Sequence, residues 1–542
     1  MLSGGYMFKK FLSAAIAAGF LFSVGVSAHA ADGDAYQSEN SKVDPDNQVL
    51  AMISDKAGSD WTGLMRGGGP NPNHPDWTNC NSLTDPSCDF RSGDEYYQGT
   101  AIIEDCSVTR SDFCIESLEL AAPGQDFQQA NFVRETKQTV WTADREINFP
   151  GGGGQALFKA PNAPTAGGLE TYAVQITFHL SWNPGMTKFD IHDMMASVLP
   201  YRGYANEAIL GRPGQGGNTK DVCVWTEPGY CGVAQDWVPG TKTRLKFTMP
   251  TSITGWFMGR LKDPNISIAP KGASVNELTV SAEAVDVPQL AVVKPMAEKD
   301  ALLNSGMDLG WGGGAGYIFV ALQASSRDVA KFIERYRSEL GDSSTGKTSM
   351  WNFSTINGSR GNNCLTSNDK VMGIVTTNAM GYDGTAPSFD NEMLTYHVSG
   401  MHYESDKTTL TEGTYDLVIR SDVARCLYGF TSAPISATVS VIDDKGQQKT
   451  AVTTVNEKDG WLKMAAYGFS FSNPTLNVKI SQAKPKPQDS SSPTPSPKPS
   501  ATNSPKATAA TTKITITCVK GKTVKKVTAV SPKCPAGYKK NG

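Results

Sequence analysis

The residues best placed to do chemistry lie in and just beyond a short cysteine loop. Cys223 to Trp237 reads C-V-W-T-E-P-G-Y-C-G-V-A-Q-D-W. A bridge between Cys223 and Cys231 would hold Trp225, Glu227 and Tyr230 rigidly, with Asp236 and Trp237 just outside. Rigid aromatic faces stack on the apolar side of a pyranose, neighbouring carboxylates accept its hydroxyl hydrogens, and pre-ordering lowers the entropy cost of binding. The same residues carry a second reading, in which the tryptophans are core anchors of a loop that caps a sandwich. A glycan hydrolase needs two carboxyls facing across a cleft at roughly 5–9.5 Å, and Glu227 with Asp236 is the pair this neighbourhood offers. The stretch from Trp61 to Trp77, with Arg66, His74 and Asp76, is similar in kind but lacks an evident rigid frame.

Other motifs weaken when their context is read. Gly341-Asp-Ser-Ser-Thr-Gly346-Lys347-Thr348 spells a phosphate-binding loop, which must follow a strand and open a helix. Here it follows a helical pattern and leads into Ser349–Ser354, which has no helical period. Its expected role is a helix-terminal turn with Gly341 as cap. Gly310–Ala315 echoes a dinucleotide fingerprint but precedes a strand pattern, and is expected to be a loop. No G-x-S-x-G elbow and no H-E-x-x-H occurs. Asp190, His192 and Asp193 form the one local acid–histidine cluster, and a surface turn is expected there. No cofactor or metal is expected, and nucleic acid is not an expected partner.

The ten cysteines are even in number. Cys80/Cys88, Cys106/Cys114 and Cys223/Cys231 each enclose seven residues, so local pairing is the simplest arrangement, with Cys364–Cys426 and Cys518–Cys534 completing the set. Cross-pairing among the first four stays open. No C-x2-C doublet suggests zinc. Lys9 and Lys10, the apolar run Phe11–Val26 and Ala28-His29-Ala30 read as a secretory signal over 1–30, with cleavage expected before Ala31. The apolar run is shorter than the ~20 residues of a spanning helix, so no transmembrane anchor is expected after cleavage. An oxidising, extracellular or cell-surface location follows.

In the elements that must hold these residues, period-two alternation dominates. It runs through Tyr172–Trp182, Leu245–Met249, Tyr415–Ile419, Ile435–Val441 and Leu476–Ile480. Asp444-Lys445-Gly446 and Asp459-Gly460 signal hairpins. Ser326–Leu340 has helical spacing. The pattern predicts a mainly β chain of tandem β-sandwich-like domains with one inserted helix: an irregular segment at 31–90, β domains at 91–295 and 296–483, and a boundary near Pro295.

Residues 484–512 are a Pro/Ser-rich linker with too little apolar surface to fold. Lys513–Gly542 reads as a small hairpin module flanked by Cys518 and Cys534. Charge divides sharply. The chain totals −3, the tail contributes +8, the linker +3 and the leader +2, which leaves the body at −16. A basic tail on an acidic body suits an anionic wall polymer, contacted by Lys520, Lys522, Lys525, Lys526 and Lys533. The alternative is that these lysines only keep a small β module soluble.

Gly413-Thr-Tyr-Asp-Leu-Val-Ile-Arg420, Ala424–Phe430, Ala433–Val441, Glu457–Lys463, Gly255–Pro264 and Ile516–Lys520 together resemble uncharacterised exported proteins of actinobacteria. Those proteins end in the same lysine-rich, two-cysteine module after a Ser/Pro linker. The resemblance implies export and surface association and supplies no activity. The expectation is a non-enzymatic binding or structural protein of the cell envelope, with a glycan hydrolase as the alternative.

Overall fold

The period-two runs do form strands, and they are distributed over three sheets. The computed structural model describes residues 44, 46–55, 61–67, 77–90, 95–109, 111–204, 223–227, 230–314, 317–356, 363–364, 370–431, 435–442, 448–450, 452–471, 474–482, 514–520, 523–529 and 532–540. The chain is mainly β. The described residues up to Gln482 form one compact unit, and those from Ile514 onward form another.

In the body, the main sheet runs in the order Trp77–Asn79, Gly63–Gly67, Tyr96–Ile102, Thr171–Trp182, Asp190–Tyr204, Asn352–Ile356, Gly255–Arg260, Val371–Thr377, Glu412–Arg420, Trp461–Ser470, Val452–Lys458. A second sheet comprises Lys262–Pro270, Val275–Glu283, Lys242–Pro250, Ile115–Ala121 and Gln128–Gln129. A third is built mainly on Met393–Ser399, Thr475–Gln482 and Ile435–Ile442.

Pairing passes straight across Pro295. Asn352–Ile356 lies between Asp190–Tyr204 and Gly255–Arg260, so the two sandwich-like halves share a sheet instead of meeting at a linker. Alternate residues of one strand feed different cores. Phe257 and Val418 join Phe178, Leu245 and Val280. Trp256, Met258, Leu417 and Ile419 join Tyr396, Val439, Leu476 and helix residues Phe332 and Ile333. Each such buried side chain contributes roughly 1.5–3 kcal/mol.

Central placement also explains a departure from expectation. Period-two alternation along Thr171–Trp182 implies one buried and one solvated face, yet Ala173, Gln175 and Thr177 are buried along with Tyr172, Val174 and Ile176. Alternation reports chemistry on two faces. It does not report that the second face is covered.

Local features follow their residues. The expected helix is Val329–Arg337, its buried face made by Val329, Phe332, Ile333 and Tyr336. Gly341, at φ 65°, ends the following turn, and Gly346–Met350 continues as a strand paired with Val285–Gln289. The phosphate-loop spelling is therefore a turn. Asp459 and Gly460 at φ 52° and 81° make the tight hairpin between Val452–Lys458 and Trp461–Ser470. Two expectations are corrected. Gly310–Gly314 is a strand paired with Tyr317–Gln323, not a loop. Asp190–Asp193 opens a long strand with a bulge, and Asp193 is buried against His179 at 3.3 Å.

The first described strand, Gln48–Ser54, sits between Ala291–Pro295 and Tyr317–Gln323. Beyond it Asp55 meets the fully buried Arg260, with Nε donating at 2.8 Å and Nη2 at 3.3 Å. Nη1 donates to the carbonyls of Thr377 and Ala379 at 3.0 and 2.5 Å, and the guanidinium lies 4.4 Å from the Tyr382 ring centre. This clamp ties the N-terminal strand to the main sheet.

Among the described residues, four disulfides join Cys80–Cys88, Cys106–Cys114, Cys364–Cys426 and Cys518–Cys534. The first four cysteines therefore pair locally. Cys364–Cys426, 62 residues apart, constrains the unfolded chain most, by roughly 4 kcal/mol. The side chains of Cys223 and Cys231 lie outside the described set, although the backbones of Cys223–Glu227 and Tyr230–Ala234 pair as a hairpin.

The C-terminal unit is a three-stranded sheet, Thr523–Ala529, Ile514–Lys520 and Lys539–Lys540 in that order. Among the described residues, no helix is long and apolar enough to cross a membrane.

Candidate functional site

The residues singled out around the third cysteine pair separate in the fold. Trp237 is a core residue, 3% exposed, with its ring 5.3 Å from that of Tyr172. It anchors the segment after the hairpin and has no face left to stack on a sugar, so it is a core anchor and not the ligand residue the sequence suggests. Its neighbour Asp236 is exposed. The side chains of Trp225, Glu227 and Tyr230 lie outside the described set. In the tail, Lys520, Lys525, Lys526 and Lys533 are exposed, and Lys522 lies outside the described residues.

A more site-like arrangement lies between the second sheet and the far end of the main sheet. There a cleft of about 470 Å³ is lined by Phe127, Arg244, Asp263, Glu283, Trp461 and Lys463, among others. Strand Lys242–Pro250 supplies Arg244, whose guanidinium lies 3.9 Å from the Phe127 ring centre and donates to Glu119 at 2.8 Å. Opposite, the half-buried Trp461 starts the strand after the Asp459-Gly460 turn. It carries Arg420 at 5.9 Å from its ring.

At the base of this cleft a bulge turns Asp263 out of the ladder. The register of Lys262–Pro270 against Val275–Glu283 slips between Lys262 and Asn265, and Asp263 adopts φ 56°. For a non-glycine residue this left-handed conformation costs about 1–2 kcal/mol, so neighbours must hold it. The Asp416 carboxylate accepts from the Asp263 N–H at 3.3 Å and from the Tyr467 hydroxyl at 2.7 Å, and Lys463 pairs with the Asp263 carboxylate.

Asp416 is fully buried in strand Glu412–Arg420, and burial pushes its carboxyl up to about 7, against the opposing pull of the Tyr467 hydrogen bond and the Lys463 charge. The Tyr467 phenol is raised by its own burial and by Asp416.

Chemically, Asp416 does not reach the cleft. It fixes the Asp263 backbone, and Asp263 with Lys463 meets the solvent. Asp416 is thus a positioning residue. The cleft can bind a polar ligand between two aromatic edges and charges of both signs. Among the described residues no three of His, Cys, Asp or Glu gather as a metal-binding group.

Sequence reasoning missed this site because Asp416 sits between Tyr415 and Leu417. A period-two reading that buries those two sends Asp416 to solvent. The usable signal was a carboxylate inside an otherwise β-branched and aromatic run. Comparison with protein-family models, curated proteins and solved structures gives no match to this chain. The site is accordingly read from its own chemistry.

Proposed function

We propose that this is an exported, envelope-associated protein that binds its ligand without transforming it. The body presents the inter-sheet cleft, and the basic tail holds the protein to anionic polymers of the wall. Four disulfides suit an oxidising compartment outside the cytoplasm. A leader of the secretory type and the resemblance to exported actinobacterial proteins support the same location.

The observation that carries the reading is the segregation of charge. Eight lysines and no acid lie on the bridged C-terminal module, against a body at −16. Lysine is a compact, strongly hydrated cation, suited to phosphate- or carboxylate-rich chains that need no fixed geometry. Contacts of this kind weaken as salt shortens the screening length from about 8 Å at physiological ionic strength to about 3 Å at 1 M.

The test compares cells producing the full chain with cells producing a chain lacking Lys513–Gly542. The full chain should stay cell-associated at physiological salt and elute at 1 M, while the truncated chain should appear in the medium. Equal cell association of the two would remove the tethering role.

A further inference from the structure

We propose that a second groove, floored by Trp61 and Trp141, is a binding site for an uncharged saccharide. It is distinct from the inter-sheet cleft and does not depend on the tail. The groove has a volume of about 470 Å³ and is walled by Trp61, Asn79, Asn81, Gln138, Thr139 and Trp141, with the backbone of Gly63 between the indoles. None of its eleven lining residues carries a charge, whereas seven of the seventeen around the inter-sheet cleft do. Among the described lining residues an anionic ligand meets no cation, and the nearby Asp85 carboxylate is taken up by the backbone and side-chain amides of Asn81.

What the lining offers instead is the partly exposed indole of Trp61, the nearly covered Trp141 behind it, and a set of amides and hydroxyls. An amide presents a donor and an acceptor side by side, which matches the vicinal hydroxyls of a sugar ring, while an indole face covers the ring's C–H surface. A few placed polar groups on a largely aromatic floor is the usual composition of a small-molecule site.

The groove is held in shape before any ligand arrives. Trp141 is almost closed off and backed by Phe149 at 5.8 Å between ring centres, while Trp61 is half-buried and keeps a solvent-facing part. A Cβ on Gly63 would lie 2.7 Å from the Trp61 ring and 3.4 Å from that of Trp141, so glycine there lets the indoles settle onto the backbone. Thr100 donates to the Trp61 carbonyl at 2.7 Å. The Trp141 and Gly152 backbones exchange hydrogen bonds at 2.8 and 2.9 Å. On the other wall, Cys80 is bridged to Cys88, and the Asn81 amide is tied to Asp85 at 2.8 Å. Such pre-ordering reduces the entropy lost on binding.

The experiment uses the full-length protein, with maltotriose, cellotriose and chitotriose titrated to about 20 mM and followed by tryptophan fluorescence and calorimetry. At least one trisaccharide should bind with a Kd at or below the millimolar range. Trp61→Ala should weaken it roughly tenfold or more, and Trp61→Phe, which keeps a ring and the fold, by less. Gly63→Val should weaken binding by displacing Trp61. Lys463→Ala, in the inter-sheet cleft, should leave it unchanged. The proposal is overturned if none of the three binds, if Trp61→Phe and Trp61→Ala both bind as tightly as the parent, or if a trigalacturonate probe binds as tightly as the neutral sugars. Loss of trisaccharide binding in Lys463→Ala would equally overturn it by moving the site to the other cleft.

Discussion

Arg260 and Asp416 are both buried ionisable residues of the main sheet, and they are solved in opposite ways. Arg260 is closed on every side. Asp55 takes two of its N–H groups, two backbone carbonyls take a third, and Tyr382 covers its face. Asp416 is only half compensated. It accepts from one hydroxyl and one amide, its nearest cation is paired with Asp263 instead, and Asp263 is half exposed to the cleft. A sealed ion pair fixes structure. A buried carboxyl that stays near neutrality, one residue behind an open cleft, marks where the fold tolerates strain to hold a surface ready.

The largest effect that would break this comparison comes from the sealed centre. Arg260→Met should leave Asp55 buried and unpaired and release the Gln48–Ser54 strand, costing about 3–5 kcal/mol. Chemical denaturation measures it directly. A cost under about 1 kcal/mol would mean that the clamp is not what ties this strand down.

Next comes the pH response of Asp416. The folded state holds this proton more tightly than the unfolded chain, whose ordinary carboxyl value is 3.8. Stability attributable to Asp416 is therefore greatest below pH 3.8 and falls as pH rises towards about 7, where the folded carboxyl ionises. Asp416→Asn should flatten that part of the stability–pH curve, read from thermal melts across the range. An unchanged slope would show that Asp416 is not the group responsible.

The smallest effect sharpens the account of strain. Asp263→Gly relieves the left-handed conformation, worth about 1–2 kcal/mol, but loses the half-exposed pair with Lys463, worth about 0–1 kcal/mol, and adds glycine's extra freedom in the unfolded chain, a cost of about 0.5–1 kcal/mol. Net stability should shift by less than about 1 kcal/mol in a melting experiment. A loss above roughly 2 kcal/mol would assign the bulge to its side chain rather than its backbone.

Much of the fold was legible because its signals are local. Alternation in Tyr172–Trp182 and Leu245–Met249, the Asp459-Gly460 turn and the spacing of Val329, Phe332, Ile333 and Tyr336 each report geometry within a few residues. Pairing partners are not local, so a boundary near Pro295 looked plausible while the shared sheet stayed hidden. The helix Ser421–Tyr428 was also missed. It is short, follows a strand without a strong cap, and buries only Val423, Ala424 and Leu427 among its apolar residues.

At the sites, Trp237 shows that aromatic character beside a cysteine loop cannot distinguish a core anchor from a platform. Asp263 and Asp416 show the converse. Their roles arise from a bulge and a covered sheet face that no spacing rule displays.

The strand order has a consequence in time. Gln48–Ser54 finds its partners only in Ala291–Pro295 and Tyr317–Gln323, and the middle of the main sheet closes only when Asn352–Ile356 fits between Asp190–Tyr204 and Gly255–Arg260. A polypeptide that emerges amino end first must therefore carry this first described strand with bare edges for roughly 240 residues of growth. Distant pairing of this kind slows acquisition of the native state and leaves sticky intermediates exposed. Maturation of this molecule should accordingly depend on keeping the nascent chain apart from its neighbours until the late ribbons arrive.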